Sequence, residues 1–312
     1  MRSSKLVVAR SLAAVHNFTA LIAVNPGMRL RENRTLVLAA LSGAILLPVA
    51  ASWAAGGKSG QEIRAAYRVD LAAFNLGKLQ VTANVNGSDY EMRADGRFSL
   101  VSSMLFSATG KTTSAGGWSK TGPRPAKFTY SFENGKKKET RELRFAKGAV
   151  SEISIVPPRN KTGHGRVPVT KDQLKNVLDP FTAAFLSVRS EVPSGDLKVC
   201  DRTLKVFDGT QRFDIVLKPK RVESVSKGPS GLSGPVAVCQ ARYVPVSGYR
   251  PDQPGVKFVS ENEDIEVWLV SPPGSALHLP YKIVMPTTWG TGLVTLTEIK
   301  TSSPASAARA GD

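Results

Sequence analysis

A repeat of two constrains this chain most. Leu79, Val81, Ala83 and Val85 alternate with Gln80, Thr82, Asn84 and Asn86. Tyr90, Met92 and Ala94 alternate with Glu91, Arg93 and Asp95, and Phe128, Tyr130 and Phe132 with Thr129, Ser131 and Glu133. Successive side chains of an extended chain leave opposite faces, so each run predicts a strand with one apolar and one wet face. Strands of that kind belong to antiparallel sheets, because strands of a parallel sheet are buried on both sides. Asn86-Gly87, Asn134-Gly135 and Asp208-Gly209 are favoured hairpin turns, and Lys147-Gly148 links two further runs. More strands are expected over Leu204–Phe207, Arg212–Val216, Val236–Val246, Asp264–Val270, Leu277–Met285 and Gly292–Ile299. Many short strands with regular turns predict an all-β, mostly antiparallel, strongly curled sheet or open β-barrel.

Two short helices are expected to interrupt it. Thr170-Lys171-Asp172-Gln173 has the capping-box pattern and leads into 174–178. Asp179 then caps a second helix with Pro180 at its first position, where a missing N–H costs nothing. Phe181, Ala184, Phe185 and Val188 fall on one face of it. Such a helix either plugs the mouth of a curled sheet or simply covers an open core.

The N-terminus has the order of an export signal. Arg29, Arg31 and Arg34 precede Leu36–Ala51, 16 residues without a charge, and Ser52-Trp53-Ala54 supplies small residues around a cut after Ala54. A spanning helix needs about 20 apolar residues, and this run is broken by Gly43 and Pro48, so a cleaved signal is expected rather than an anchor. A complete signal could itself begin at Met28, which makes 1–27 a mis-called extension. The resulting layout is a signal peptide over 1–54, a flexible leader over 55–60, one β domain over 61–300 and a disordered tail over 301–312.

Export changes what the charge means. The whole chain carries +17; cleavage removes six basic residues and one acidic one, leaving about +12. In a cytosolic protein such a balance points to nucleic acid. In an exported one it points to an anionic lipid, glycan or protein of the envelope, or to a merely solvated basic surface. Cys200 and Cys239 are the only cysteines, and in an oxidising compartment two cysteines pair. Two thiols 39 positions apart with no neighbouring histidine have poor metal-site spacing. Arg202, Arg212 and Arg242 lie near that pair in sequence and are candidates to line one anionic pocket.

No residue pattern announces a reaction or a cofactor. The sequence has no Gly-x-Ser-x-Gly elbow, His-Glu-x-x-His pair or Walker loop. His164 lies in a basic, glycine-containing loop, and His278, between Leu277 and Leu279, is expected to be structural. Glu261, Glu263, Asp264 and Glu266 could do acid–base work on a glycan, or form a solvated turn. Lys136-Lys137-Lys138 follows a hairpin turn and is expected to deter sheet-to-sheet pairing.

Several segments together resemble a known family. They are Tyr67-Arg68-Val69 with Asn75-Leu76-Gly77-Lys78-Leu79, Asp179-Pro180-Phe181-Thr182-Ala183-Ala184, Cys200-Asp201-Arg202-Thr203 with 206–213, and Cys239-Gln240-Ala241-Arg242-Tyr243 with 245–249. This set resembles the exported bacterial family called domain of unknown function 3108, in its alphaproteobacterial form. The layout is also similar to periplasmic envelope-integrity proteins with a spiral, incompletely closed barrel and one disulfide. The resemblance implies neither reaction nor cofactor. It favours a non-enzymatic envelope role, and the reading taken is a periplasmic protein supporting the envelope that holds an anionic lipid, glycan or envelope protein on a concave sheet face with Arg and Lys at the rim. An envelope hydrolase using the acidic residues and a purely structural module are the alternatives.

Overall fold

The computed structural model describes residues 60–302, apart from 73, 100–106, 120, 136, 159–164, 186–191, 273–274 and 276. The signal segment, Lys136, His164, Val188 and the tail beyond 302 lie outside the described residues.

Among the described residues thirteen strands form one sheet. They are β1 (Gln61–Leu71), β2 (Phe74–Asn86), β3 (Asp89–Ser99), β4 (Ser107–Ser119), β5 (Gly122–Glu133), β6 (Lys138–Ala146), β7 (Ala149–Val156), β8 (Arg202–Phe207), β9 (Arg212–Val225), β10 (Gly234–Ser247), β11 (Ile265–Val270), β12 (Leu279–Thr287) and β13 (Gly290–Ser302). The spatial order is β7-β6-β5-β4-β3-β2-β1-β13-β12-β11-β10-β9-β8. Two meanders therefore meet where β1 pairs with β13, and β7 and β8 are the edges. The alternation read from the sequence is what the strands use: along β3, Tyr90, Met92, Ala94, Gly96 and Phe98 are buried and the residues between them exposed.

The turns obey local chemistry. Lys147 and Gly148, both at positive φ (51° and 77°), form the two-residue loop closing β6 onto β7, as a type I′ turn requires. At Asp208 the carboxylate accepts from the Thr210 and Gln211 N–H groups at 2.7 and 2.6 Å, which sets a four-residue loop. The Asn134 turn is also four residues long, with its side chain accepting from the Lys137 N–H.

The helices differ in part from expectation. α1 (Pro180–Phe185) stands where Asp179 caps it, but Ala183 is buried and Ala184 exposed. The capping box is half realised: Gln173 accepts from the Thr170 N–H, yet only a 3₁₀ turn forms over Asp172–Leu174. The chain then leaves the helical path, Lys175 extended and Asn176 left-handed, because two strand edges claim its backbone. The second α-helix is instead α2 (Pro254–Glu261), with Pro254 in its first turn.

α1 lies inside the curl. Its Phe185 meets Tyr67 of β1 edge-on at 5.6 Å, and Thr182 bonds to Tyr90 of β3 and Ser114 of β4. Around it Ile63, Tyr67, Met92, Phe128, Phe132 and Leu143 are buried. This corrects the expectation of an open concave face: that face is filled by its own side chains and by α1.

The sheet does not close on itself by strand pairing; other contacts join its edges. Lys175 bridges to Ala149, the Asn176 N–H donates to the Gly148 carbonyl, and Leu178 bridges to Val206. Asn176 takes a positive φ of 53°, a region asparagine tolerates, and there the chain swings from one edge to the other. Beside this stitch, Arg141 of β6 reaches Asp208 after β8 at 3.3 Å, both side chains buried.

Candidate functional site

A wide depression follows that seam. It is a groove of about 890 Å³ between the β4–β5 turn, the β6–β7 turn, residues 176–178 and edge strand β8. Trp118, Pro123, Pro125, Phe145, Val177 and Leu204 supply its apolar surface. Arg124, Lys147, Arg202 and Lys205 are its charged residues, and no described lining residue is a carboxylate. Arg124, Lys147 and Lys205 are exposed and make no ion pair among the described residues. Four like charges around a low-dielectric floor focus a positive potential into the groove. A smaller depression of about 300 Å³ across β4–β7 mixes Lys111 and Arg141 with Glu142, so its charges oppose one another.

The disulfide sets one wall. Cys200 and Cys239 are bonded, fully buried, with Cα atoms 5.2 Å apart. The bond ties the 3₁₀ turn Leu197–Cys200 to β10 among Leu217, Ala241, Ile265 and Leu269. Arg202 follows two residues later, its Nε donating to the Val199 carbonyl at 2.8 Å. Partial burial pulls the Arg202 pKa down, against the pull of Asp201. An anion in the groove would offset that desolvation.

The three arginines do not converge. Arg202 pairs with Leu217 and Arg242 with Val216; cross-strand partners share a face and successive residues do not, so Arg202 and Arg242 project from opposite faces. Arg242 faces Glu263 at 3.7 Å. Arg212 is buried at the start of β9, where its Nη1 donates to the Phe213 carbonyl and to Asp214, both at 2.6 Å. Only Arg202 belongs to the groove. Sequence proximity to the disulfide missed Arg124, Lys147 and Lys205, because nothing in the chain announces that β5 and β8 come together.

The acidic residues do not form a cleft. Glu261, Glu263 and Asp264 are exposed. Glu266 bonds to Arg221 at 2.7 and 3.1 Å, to Lys220 at 2.8 Å and to the Trp268 indole at 2.9 Å. The Arg221 bond above all holds its pKa down at about 2; it is a fixed anion and a poor proton donor at neutral pH. His278 is buried ahead of β12. Among the described residues no three His, Cys, Asp or Glu side chains are grouped as metal ligands would be. No described helix is long and apolar enough to cross a membrane.

One buried carboxyl stands apart. Asp179 accepts from the Phe181 and Thr182 N–H groups at 3.0 and 2.9 Å, and from the Thr182 and Ser114 hydroxyls at 2.7 and 2.9 Å. Burial pushes its pKa up, against those hydrogen bonds. Every contact serves to seat α1 against β4, so the group is structural.

Comparison with known proteins gives three findings. A family model described as a protein of unknown function, DUF3108, matches residues 66–297. No curated protein matches the chain. Among solved structures it is similar to a β-barrel-like protein of domain of unknown function DUF1849 from Brucella abortus, with 8% identity and a TM-score of 0.45, over 78% of this chain and 98% of that one.

Proposed function

The chain belongs to the DUF3108 family, and from that premise we propose that it is a non-enzymatic periplasmic protein that supports the cell envelope by binding an anionic envelope component in the seam groove. One observation carries the reading: the groove gathers Arg124, Lys147, Arg202 and Lys205 over an apolar floor with no described carboxylate. Its volume suits a bound group of moderate size. Export through the N-terminal signal fits the Cys200–Cys239 bond, which persists in oxidising compartments. The acidic residues give the hydrolase reading no support, since Glu266 is held ionised by its cations.

The test is charge reversal of the four groove residues to Glu, beside a control reversing Lys111, Lys218, Lys257 and Lys300. Binding is measured to phosphatidylglycerol vesicles, heparin and poly-L-glutamate. Loss of at least about tenfold in affinity for one probe in the groove variant alone supports the reading. Equal loss in both variants reduces it to bulk charge and refutes the site.

A further inference from the structure

The groove contains an unfinished piece of β-sheet. On β8 the Lys205 carbonyl accepts from the Leu178 N–H at 2.7 Å, and the Phe207 N–H donates to the Leu178 carbonyl at 2.9 Å. Residues 205 and 207 therefore turn their backbone groups away from β9. The β8–β9 register runs without a shift from Arg202 to Phe207, and in such a ladder outward and inward residues alternate. Thr203 thus points its N–H and C=O outward, and Lys205 its N–H. Leu178 takes only the far end of this edge, because at Asn176 the chain has crossed to Gly148. Among the described residues nothing pairs with the outward backbone of Thr203, and Thr203 itself lines the groove.

Resting on the reading of the groove as an anion site, we propose that its occupant is an extended acidic segment of a partner polypeptide, added as a strand to the open half of β8. Strand addition draws its affinity from main-chain bonds and its selectivity from side chains on either side. A guest residue beside Leu204 would donate to the Thr203 carbonyl and accept from the Lys205 N–H, repeating the pattern that Leu178 makes one step along. Adjacent guest side chains leave opposite faces. Arg202 and Lys205 likewise leave opposite faces of β8, and Arg124 and Lys147 stand across the groove, so acidic side chains on both sides of the guest meet a cation. The other edge makes the contrast: among the described residues β7 has no outer partner beyond Ala149, and its only charged residue is Glu152. A sugar or a lipid headgroup could use the cations but has no use for a strand edge.

The test separates edge from charge. The probe is a decapeptide that alternates Glu-Glu and Thr-Thr pairs, which puts carboxylates on both faces of the strand, beside the same peptide N-methylated at every residue, which keeps all charges but removes the donors of both edges. Binding to the full chain is followed by calorimetry, alongside Thr203→Pro, which deletes the outward N–H where an edge strand tolerates proline. The proposal expects N-methylation and T203P each to weaken binding at least about tenfold. Equal binding of the two peptides overturns it, as does preference for heparin or phosphatidylglycerol vesicles over the peptide, although that second result leaves the anion-binding reading standing. Should T203P fail to fold, the peptide pair decides alone. Binding of no anionic probe overturns both readings.

Discussion

Replacing Asp179 tests how α1 is held. In Asp179→Ala the Phe181 and Thr182 N–H groups lose their acceptor. Ser114, Thr182 and Tyr90 still bond to one another, at 2.9 and 3.1 Å, so the hydroxyls are not stranded. Each of the two stranded buried donors costs about 1–3 kcal/mol, and that stranding is what loss of the cap amounts to. The expected destabilisation is about 4 kcal/mol, read as a lower urea midpoint at unchanged slope. Asp179→Asn keeps an oxygen for both N–H groups, and its amide can donate to hydroxyls that also accept; it is expected to cost about 1 kcal/mol. The pH dependence has a definite sign. The folded-state pKa is raised from 3.8 by burial, so the unfolded chain loses its proton first. The stability held by the protonated form is complete below the ordinary carboxylate value and is lost as pH rises through the folded one. The stability difference between wild type and D179N should therefore shrink over that window and then level off. If D179N is as damaging as D179A, or the difference grows with pH, the charge rather than the hydrogen-bond geometry is what α1 requires, and the argument fails.

Three further outcomes are expected. Replacing Cys200 and Cys239 by Ser opens a loop of 39 residues and should cost about 4 kcal/mol by loop-closure entropy, measured by urea unfolding without reductant. Arg141→Met leaves the buried Asp208 carboxylate without its cation and should cost about 3–5 kcal/mol, seen as a lower thermal midpoint. Glu266 has a pKa lowered from 4.5 to about 2, so its stabilisation is complete above 4.5 and lost as pH falls from there through about 2; acid unfolding of Glu266→Gln should lack that limb.

The parts legible in the sequence are those fixed by neighbouring residues. Alternation marked β2, β3 and β5, and Lys147-Gly148 marked its own turn, because period and turn preference are local properties. β4 was not legible. Its sequence is rich in Ser, Thr and Gly, and its buried positions include Thr112 and Ser114. Those residues look like loop until α1 brings Asp179 to Ser114, so the polar inner face makes sense only with its partner in place. The run after Leu174 follows a capping-box pattern, yet bonds of Asn176 to Gly148 and of Leu178 to Lys205 draw it out of a helix. The groove was illegible for the same reason: Arg124, Lys147 and Lys205 are far apart in sequence, and only the curl of the sheet makes them neighbours.

The number of strands has a consequence of its own. Every adjacent pair is antiparallel, so direction flips at each step, and across thirteen strands the first and last point the same way. Such a sheet cannot close antiparallel: its two edges could join only as a parallel pair, unlike every other ladder. A closed barrel must also match strand number, tilt and stagger to one another, and a sheet with mismatched edges is released from that condition. What parity denies the ladder, the stretch around Asn176 supplies, bridging antiparallel to Ala149 on one side and parallel to Val206 on the other.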